Sequence, residues 1–251
     1  MRARLAVLSE AADAWVGAVQ AHFGRLDVVV NNAGYGQFGF IEELTEDEAR
    51  AQIETNVFGA LWVTQAALPF LRAQRSGHII QVSSIGGITA FQNVGIYHAS
   101  KWALEGFSQA LAQEVESFGI HVTLIEPGGF STDWAGPSAK RATPLPEYAE
   151  VHEAAEKARS QRSATPGDPK ASARAILRVV DAKSGETYYQ ERTHVQRHRA
   201  APAGRARRAV CLQSGGARAT GNGYAMNRRL FHWLLTVAPI SSFLLVPQVQ
   251  G

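Results

Sequence analysis

Helical and extended patterns of apolar residues alternate along residues 9–182 of the 251-residue chain. Glu10 to Phe23 has the apolar spacing of an amphipathic helix, with Ser9 as the expected N-cap and Gly24 as the expected end. Leu26 to Val30 is rich in β-branched residues, which is typical of a strand buried on both faces. The alternation predicts an α/β fold whose parallel sheet is covered by helices on both faces.

The same alternation continues through the middle of the chain. Thr45 and Glu48 have the spacing of a capping box, which predicts a helix from Glu46 to about Arg72 that is disturbed at Asn56 or Gly59. The other predicted elements are strands at His78–Val82 and His121–Glu126, and helices at Tyr97–Phe118, Glu147–Ser160 and Asp168–Val180.

Charge divides the chain near residue 182. Residues 184–251 contain nine Arg against two acidic residues, whereas the preceding part is mildly acidic. We therefore predict one domain over 1–182 and an atypical Arg-rich tail over 183–251 that is disordered or poorly packed. A frameshifted reading frame in GC-rich DNA and a natural basic tail both fit this change in composition.

Composition also limits the setting in which the protein works. The single cysteine, Cys211, excludes an intramolecular disulfide framework, and the N-terminus lacks the pattern of a signal peptide, so we expect a cytoplasmic protein. Leu230 to Val246 is mostly apolar, but His232 and Pro239 weaken a membrane span, and no membrane association is expected. The basic excess is confined to the tail, so no nucleic-acid partner is expected.

Two short patterns imitate ligand sites. The G-x-G-x-x-G run that begins at Gly34 follows a strand, but the next predicted helix begins only near Glu46, so no helix N-terminus would face a pyrophosphate. His194 and His198 have metal-ligand spacing but lie in the Arg-rich tail, and we expect no metal site.

Tyr97 and Lys101 lie four residues apart on a predicted helix, so both side chains project from one face. A neighbouring ammonium favours the phenolate and draws the pKa of the tyrosine toward the range of a useful proton carrier. Ser84 follows the strand His78–Val82 at the sheet edge where ligands bind in open parallel sheets, and it can donate a hydrogen bond to a substrate oxygen. These three residues predict an active site for proton transfer.

The wider order of motifs resembles the short-chain dehydrogenase/reductase family. The motifs are Asn31-Asn32-Ala33-Gly34 at the end of one strand, Ser84 at the end of the next, Tyr97 and Lys101 on the following helix, and Pro127-Gly128 after the third strand. The resemblance covers about residues 9–182. It implies a Rossmann-like doubly wound parallel sheet and an NAD(P)-dependent oxidoreductase that moves hydride between nicotinamide and a small-molecule ketone or secondary alcohol.

The resemblance also implies roles for individual residues. Tyr97 would be the proton donor or acceptor, Ser84 would orient the substrate oxygen, and Lys101 would lower the tyrosine pKa and hold the nicotinamide ribose. Asn56 would hold a water on the proton relay, and the family's spacing selects Ser84 over the adjacent Ser83. The residues matched to cofactor contacts are Asn31, Ala33, Gly34, Tyr97, Lys101, Pro127, Gly128 and Thr132.

Six aromatic residues follow predicted strands or lie near the segment after them. They are Tyr35, Phe38, Phe40, Phe91, Phe130 and Trp134. Together they favour an apolar substrate pocket.

The chain departs from the family's pattern at its start. The opening strand, Gly-rich turn, helix and second strand are missing, which amounts to about two βα units of roughly 30 residues each. The choice between NAD and NADP is lost with them. Unless further sequence precedes Met1, Leu26–Val30 then becomes a sheet edge, which predicts poor solubility or pairing with another chain, as in a homo-oligomer. The alternative function is a catalytically inactive fragment that acts only through subunit association.

Overall fold

Helices and strands alternate along the chain, as the hydrophobic pattern predicts. The computed structural model describes residues 2–162, 167, 175–180 and 209–210, and it describes side chains for 9–161, 167 and 175–180. The main elements in chain order are α1 (Arg2–Phe23), β1 (Val28–Asn31), β2 (Gln37–Phe38), α2 (Glu46–Ile53), α3 (Gly59–Gln74), β3 (Gly77–Val82), α4 (Gly95–Val115), β4 (Ile120–Ile125), β5 (Lys140–Arg141), α5 (Ala149–Arg162) and β6 (Ala209–Val210).

The central sheet is parallel, with the strand order β1, β3, β4, β6. Asn31 pairs with Gln81, and Gln81 pairs with Leu124, so the carboxyl ends of the three longer strands meet at one edge. β1 is the outer strand of the sheet among the described residues. In open α/β sheets this carboxyl edge is where ligands bind, and it carries the candidate site described below.

Both faces of the sheet are covered, which confirms the predicted α/β class. Val29 and Ile79 pack on one face with apolar residues of α1, α3 and α4. Ile80 and Ile125 pack on the other face with Val179, which lies in a helical turn over 175–180. Ile79 and Ile80 are fully buried. Removing such a side chain from water stabilises the fold by about 2 kcal/mol.

Helix boundaries differ from the sequence predictions in instructive ways. α1 begins at Arg2, so Ser9 lies inside the helix and does not cap it. The preceding residues include Leu and Ala, which favour helix strongly enough to continue through one serine. Gly24 ends α1 with a φ of 74°, as predicted.

The long helix predicted from Glu46 is interrupted where the sequence indicates. Thr45 and Glu48 form the capping box, with each side chain bonded to the other's backbone N–H. Residues Glu54–Phe58 form a π-helical turn between α2 and α3. Such a turn inserts one extra residue and often occurs at functional sites, and here it contains Asn56.

A two-stranded parallel pair, β2 with β5, was not predicted from the sequence. Gln37 pairs with Lys140, and Phe38 pairs with Arg141. Each strand has two residues, which is too short for an alternating pattern to be read. The pair holds the segment after β4 against the turn that follows β1.

A buried carboxylate fixes the next part of that segment. The side chain of Glu43 is fully buried and accepts hydrogen bonds from the backbone N–H of Leu145 (3.0 Å), the backbone N–H of Phe40 (2.7 Å) and Nε2 of His152 (2.6 Å). Burial raises the pKa of Glu43, but the bonds from these donors outweigh it and leave the pKa below its ordinary value. Glu43 therefore ties α5 to the loop after β2.

Several sequence predictions fall outside the described residues. They include the start of the helix at Asp168, the histidines 194 and 198, the apolar stretch 230–246, and most of the predicted tail. Within that tail, Ala209–Val210 forms β6 and pairs with Leu124 and Ile125. None of the helices in the described part of the chain has the length and apolar character needed to cross a membrane.

We expect Glu43→Gln to destabilise the protein by about 2 kcal/mol at neutral pH, because an amide replaces a charged acceptor of several hydrogen bonds. The lowered pKa of Glu43 means that this stabilisation is present above about pH 4.3 and is lost as the pH falls through the folded-state value. Urea unfolding at several pH values measures the difference. Glu42→Gln is the control, since Glu42 is exposed and accepts its one hydrogen bond from the described residues, from the Tyr148 hydroxyl. Equal losses in the two variants would contradict the assigned role of Glu43.

Candidate active site

Ser84, Tyr97 and Lys101 come together at the carboxyl end of β3. Tyr97 lies in the first turn of α4, and Lys101 lies one turn further along the same face. Lys101 Nζ donates to the carbonyl of Val82 at 2.8 Å and lies 5.9 Å from the centroid of the Tyr97 ring. A side-chain hydrogen bond joins Tyr97 to Ser84. The structure thus assembles the three residues that the sequence predicts.

The local backbone prepares Ser84 to donate a hydrogen bond. Its Oγ accepts from the backbone N–H of Gly86 at 3.0 Å and caps the short 3₁₀ turn Ile85–Gly87. The hydroxyl proton is then left for the oxygen of Tyr97. The neighbouring Ser83 is buried, and its Oγ has no hydrogen-bond partner among the described residues. Ser84, and not Ser83, therefore reaches Tyr97.

The pKa of Tyr97 differs from the expectation based on spacing. Burial raises it to about 12, and the hydrogen bond with Ser84 lowers it only in part. Tyr97 is 7% exposed and Lys101 is 6% exposed, and the ammonium donates to Val82. The tyrosine pKa is therefore raised and not lowered as expected, because burial disfavours the phenolate more than the hydrogen bond with Ser84 favours it.

The charge of Lys101 is itself marginal. Burial lowers the pKa of Lys101 to about 8, while the charge of Glu105 opposes this shift. Glu105 is buried one turn further along α4, at 6% exposed. Near neutral pH the site thus holds a protonated tyrosine beside an ammonium that loses its proton under mildly alkaline conditions.

Asn56 lies in the π-helical turn and joins two parts of the site. Its Oδ1 accepts from the backbone N–H of Tyr35 at 3.2 Å, and its Nδ2 donates to the carbonyl of Tyr35 at 3.2 Å. The same Nδ2 donates to Ser100 Oγ at 3.0 Å, and Ser100 donates to the carbonyl of Tyr97 at 2.6 Å. Asn56 therefore links the turn after β1 to the backbone that carries Tyr97.

The turn after β1 divides into a structural part and an open part. Asn31 is buried, and its Nδ2 donates to Thr64 Oγ1 (3.0 Å) and to the carbonyl of Ala60 (3.3 Å), so it joins the sheet to α3. Ala33 and Gly34 are exposed. A Cβ placed at Gly34 would lie 3.1 Å from the side-chain oxygen of Asn56 and 3.6 Å from Lys101 Nζ. Glycine thus leaves space directly beside the lysine.

The segment after β4 contacts the loop that begins at Ser84. The carbonyl of Pro127 accepts from the backbone N–H of Ile85 at 2.9 Å, and Gly128 is half-buried. Thr132 is exposed, and its Oγ1 accepts from the N–H of Trp134 at 3.5 Å. Of the residues matched to nicotinamide contacts, Pro127 thus bonds to the loop that begins at Ser84.

Only some of the predicted aromatic residues gather at Tyr97. The Trp134 ring lies 5.0 Å from the Tyr97 ring and 5.2 Å from the Phe38 ring, and Phe91 packs in the same cluster. The others lie elsewhere: Phe40 contacts Tyr148 and His152, Phe130 packs with Ile80 and Ile125, and Tyr35 contributes its backbone to Asn56.

A cavity of about 480 Å³ lies between Asn93, just before α4, and residues 141–156, which include the Glu43 partners Leu145 and His152. It is lined by Asn93, Arg141, Pro144, Leu145, Pro146, Ala149, His152 and Glu156. None of the four predicted catalytic residues lines it. The described residues contain no cluster of His, Cys, Asp or Glu that could hold a metal ion.

Sequence reasoning missed three buried polar residues of α4. Ser100 accepts the hydrogen bond from Asn56, and the charge of Glu105 raises the pKa of Lys101. His98 contacts the loop that begins at Ser84. Spacing could have identified Glu105, since it lies one turn beyond Lys101 on the same helical face. His98 gives no such signal, because its partners are backbone atoms that are distant in sequence.

Comparisons with known proteins agree with this geometry. Residues 6–142 match the sequence model of a family described as short chain dehydrogenase. Oxidoreductase BOA17 of Botryotinia fuckeliana is 46% identical over 162 residues, which cover 64% of this chain and 59% of that protein. A 3-ketodihydrosphingosine reductase of Bacteroides thetaiotaomicron is 50% identical over 109 residues, covering 43% and 40% of the two chains.

Solved structures show the same likeness. A short-chain dehydrogenase from Streptomyces avermitilis superposes with a TM-score of 0.65 at 35% identity, covering 82% of this chain and 67% of the other. This chain therefore matches only about half of the length of the two curated relatives above, 59% of one and 40% of the other.

We expect the buried ammonium of Lys101 to make stability depend on alkaline pH. Since its folded-state pKa is about 8 and its ordinary value is 10.5, the unfolded chain binds more protons between these values, and stability rises with pH there. Relative to Lys101→Met, the wild-type protein should gain up to about 3 kcal/mol between pH 7 and pH 10.5. Denaturant unfolding across this range tests the prediction. Lys140→Met, at an exposed site, serves as the control, and an equal pH trend in the two variants would refute the assignment.

Proposed function

Since this chain belongs to the short-chain dehydrogenase family, we propose that its Tyr97 site catalyses carbonyl reduction with NADH or NADPH. The observation that carries the proposal is the contact of Ser84 with Tyr97 beside Lys101 at the carboxyl edge of the sheet. A reduction needs a hydride for the carbonyl carbon and a proton for its oxygen. The side chains at this edge can supply and control the proton.

Tyr97 is suited to donate that proton. With its pKa raised to about 12, the phenol is protonated at neutral pH. A substrate oxygen placed beside the Tyr97 hydroxyl and Ser84 Oγ would receive a hydrogen bond from each. As negative charge develops on that oxygen, the phenol proton moves to it, and the product is an alcohol.

Lys101 and Ser84 would stabilise the phenolate left on Tyr97. The ammonium lies 5.9 Å from the centroid of the ring, where its charge favours the ionised form. Ser84 has one hydroxyl proton, which it can donate to the phenolate oxygen once the product alcohol has left. The link from Tyr97 through Ser100 to Asn56 holds the backbone of this turn in place. Return of the proton from solvent by way of a water held by Asn56 is part of the proposal.

The residues at this edge fit the nicotinamide half of a dinucleotide. Gly34 leaves space beside Lys101, whose Nζ would hold the ribose hydroxyls. Pro127 bonds to Ile85, next to Ser84, and with Gly128 and Thr132 of the same segment it would meet the nicotinamide carboxamide. When bound, the reduced nicotinamide supplies the hydride and is oxidised in the same step.

The described residues offer less to the other half of the dinucleotide. The glycine run that begins at Gly34 leads into β2 and not into a helix, which agrees with the rejection of this run as a phosphate-binding motif. No Gly-rich turn that opens a helix directly after a strand occurs in the described part of the chain. The choice between NADH and NADPH is therefore left to experiment.

We propose an apolar ketone as the substrate class. Phe38, Phe91 and Trp134 pack around Tyr97 and present aromatic surface beside the reacting hydroxyl. The relative named 3-ketodihydrosphingosine reductase, which is 50% identical over the matched region, has by its name a ketone substrate. Aromatic walls favour an apolar substituent over a charged sugar.

A second candidate function is a catalytically inactive fragment that associates with other subunits. Two observations favour it: β1 has no outer neighbour among the described strands, and a Gly-rich turn opening a helix is not found there. An unpaired strand edge is a surface for pairing with another chain. Cofactor binding distinguishes the two candidates.

The deciding experiment titrates the 251-residue chain with NADH and with NADPH and follows thermal stability and nicotinamide fluorescence. We expect binding of at least one cofactor, followed by its oxidation when an apolar ketone is added. No response at millimolar cofactor would refute carbonyl reduction and favour the fragment. Faster turnover of charged sugar ketones than of apolar ketones would refute the substrate class.

We expect Tyr97→Phe to lower kcat by at least about 100-fold, because the general acid is removed. Thermal stability should change little, since the phenylalanine ring keeps the packing against Trp134. Tyr148→Phe is the matched control, as its hydroxyl bonds to exposed Glu42, and it should retain activity. A Tyr97→Phe variant with near wild-type kcat would show that the proton comes from another group.

A further inference from the structure

His98 is a buried side chain that the proposed reaction does not use. It follows Tyr97 on α4 and is 4% exposed. Its ring is turned toward the loop between β3 and α4, where Nδ1 lies 2.9 Å from the carbonyl of Gly86 and Nε2 lies 2.8 Å from the backbone nitrogen of Phe91. One side chain thus contacts the loop at two points five residues apart.

These two contacts determine the protonation state of His98. The backbone N–H of Phe91 can only donate, so Nε2 must carry a lone pair. The carbonyl of Gly86 can only accept, so Nδ1 must carry the proton. The neutral Nδ1–H tautomer therefore satisfies both partners, whereas an imidazolium would turn a second N–H toward the N–H of Phe91.

The surroundings of His98 favour this neutral form. Burial lowers its pKa and outweighs the effect of the Gly86 carbonyl, which as an acceptor favours the charged ring. Residues 83–91 contain no titratable side chain. The titratable residues of α4 that contact this region are Tyr97 at Ser84, Lys101 at the Val82 carbonyl, and Glu105 beside Gly87.

The loop that His98 holds carries two parts of the candidate site. Ser84 begins it and bonds to Tyr97, while Phe91 ends it and packs in the aromatic cluster with Tyr97 and Trp134. The packing is close, since a Cβ at Gly86 would lie 2.6 Å from Nδ1 of His98. Backbone bonds hold the first part of the loop, with the N–H of Ile85 bonded to Pro127 and that of Thr89 bonded to Ile85, whereas the Phe91 N–H at its other end bonds to His98.

We infer that His98 is a positioning residue which, as the neutral Nδ1–H tautomer, holds the Ser84–Phe91 loop against Tyr97. The inference rests on the proposed function for its effect on turnover, whereas the effect on the loop is independent of activity. Protonation of His98 at acid pH removes the acceptor that Nε2 offers to the Phe91 N–H and weakens the hold of His98 on that end of the loop. The substrate wall at Phe91 and the position of Ser84 then become less defined.

Nuclear magnetic resonance of the full chain with ¹⁵N-labelled histidine tests the tautomer directly. We expect His98 to show a protonated Nδ1 at pH 7.5 and to titrate below the ordinary histidine value of about 6.5. The Phe91 amide and Tyr97 ring signals should titrate with the same apparent pKa. A protonated Nε2 in the neutral form would overturn the inference.

Three variants separate positioning from general stability. His98→Phe keeps a buried ring but bonds to neither partner, and it should speed hydrogen exchange of the Phe91 amide by about tenfold. His98→Gln can offer an oxygen to the Phe91 N–H, so it should restore part of this protection without titrating. His22→Gln, at an exposed site on α1, should change neither signal. Unchanged exchange at Phe91 in His98→Phe would overturn the inference.

Measurements of kcat/KM test whether His98 affects the reaction. If the chain reduces a ketone, His98→Phe should lower kcat/KM by about tenfold, and the fall of wild-type kcat/KM toward acid pH should flatten in His98→Gln. An unchanged kcat/KM in His98→Phe would overturn the positioning role. If the chain reduces no ketone, the proposed function fails, and the tautomer and exchange measurements still decide the role of His98 in the loop.

Discussion

The hydrogen bond from Lys101 to the carbonyl of Val82 joins helix α4 to the end of strand β3, and the candidate site depends on it. An ammonium is expensive to bury, and within the described part of the chain this one has the Val82 carbonyl and the charge of Glu105 to offset the loss of water. The same contact brings Tyr97, one turn earlier on α4, to Ser84 just beyond β3. A lysine that is unfavourable for folding therefore sets the geometry of the site.

Neutral polar side chains provide the rest of the support. Asn56 and Gln52 both donate to the carbonyl of Tyr35, so two buried amides hold the turn after β1. Asn31 joins the same turn to Thr64 of α3. Buried polar groups of this kind stabilise a structure only when they are hydrogen-bonded. Together these bonds fix the turn after β1 at the edge of the sheet.

The two titratable groups at the centre of the site are shifted in opposite directions by one cause. Burial raises the pKa of Tyr97 and lowers that of Lys101, since it disfavours the charged form of each. The result is a phenol that keeps its proton at neutral pH and a lysine near the point of losing its charge. Such a pair is poised to give a proton to an oxygen on which negative charge develops.

The sequence by itself determined the α/β class, the parallel sheet, the capping box at Thr45, the break near Asn56 and the meeting of Ser84, Tyr97 and Lys101. These follow from local periodicity and from the rule that parallel strands end at one edge. Only the tertiary structure decided the raised pKa of Tyr97, the Glu43 contacts, the short β2–β5 pair and the tautomer of His98. Each of these depends on burial, or on backbone atoms brought together from distant parts of the chain, which no local pattern records.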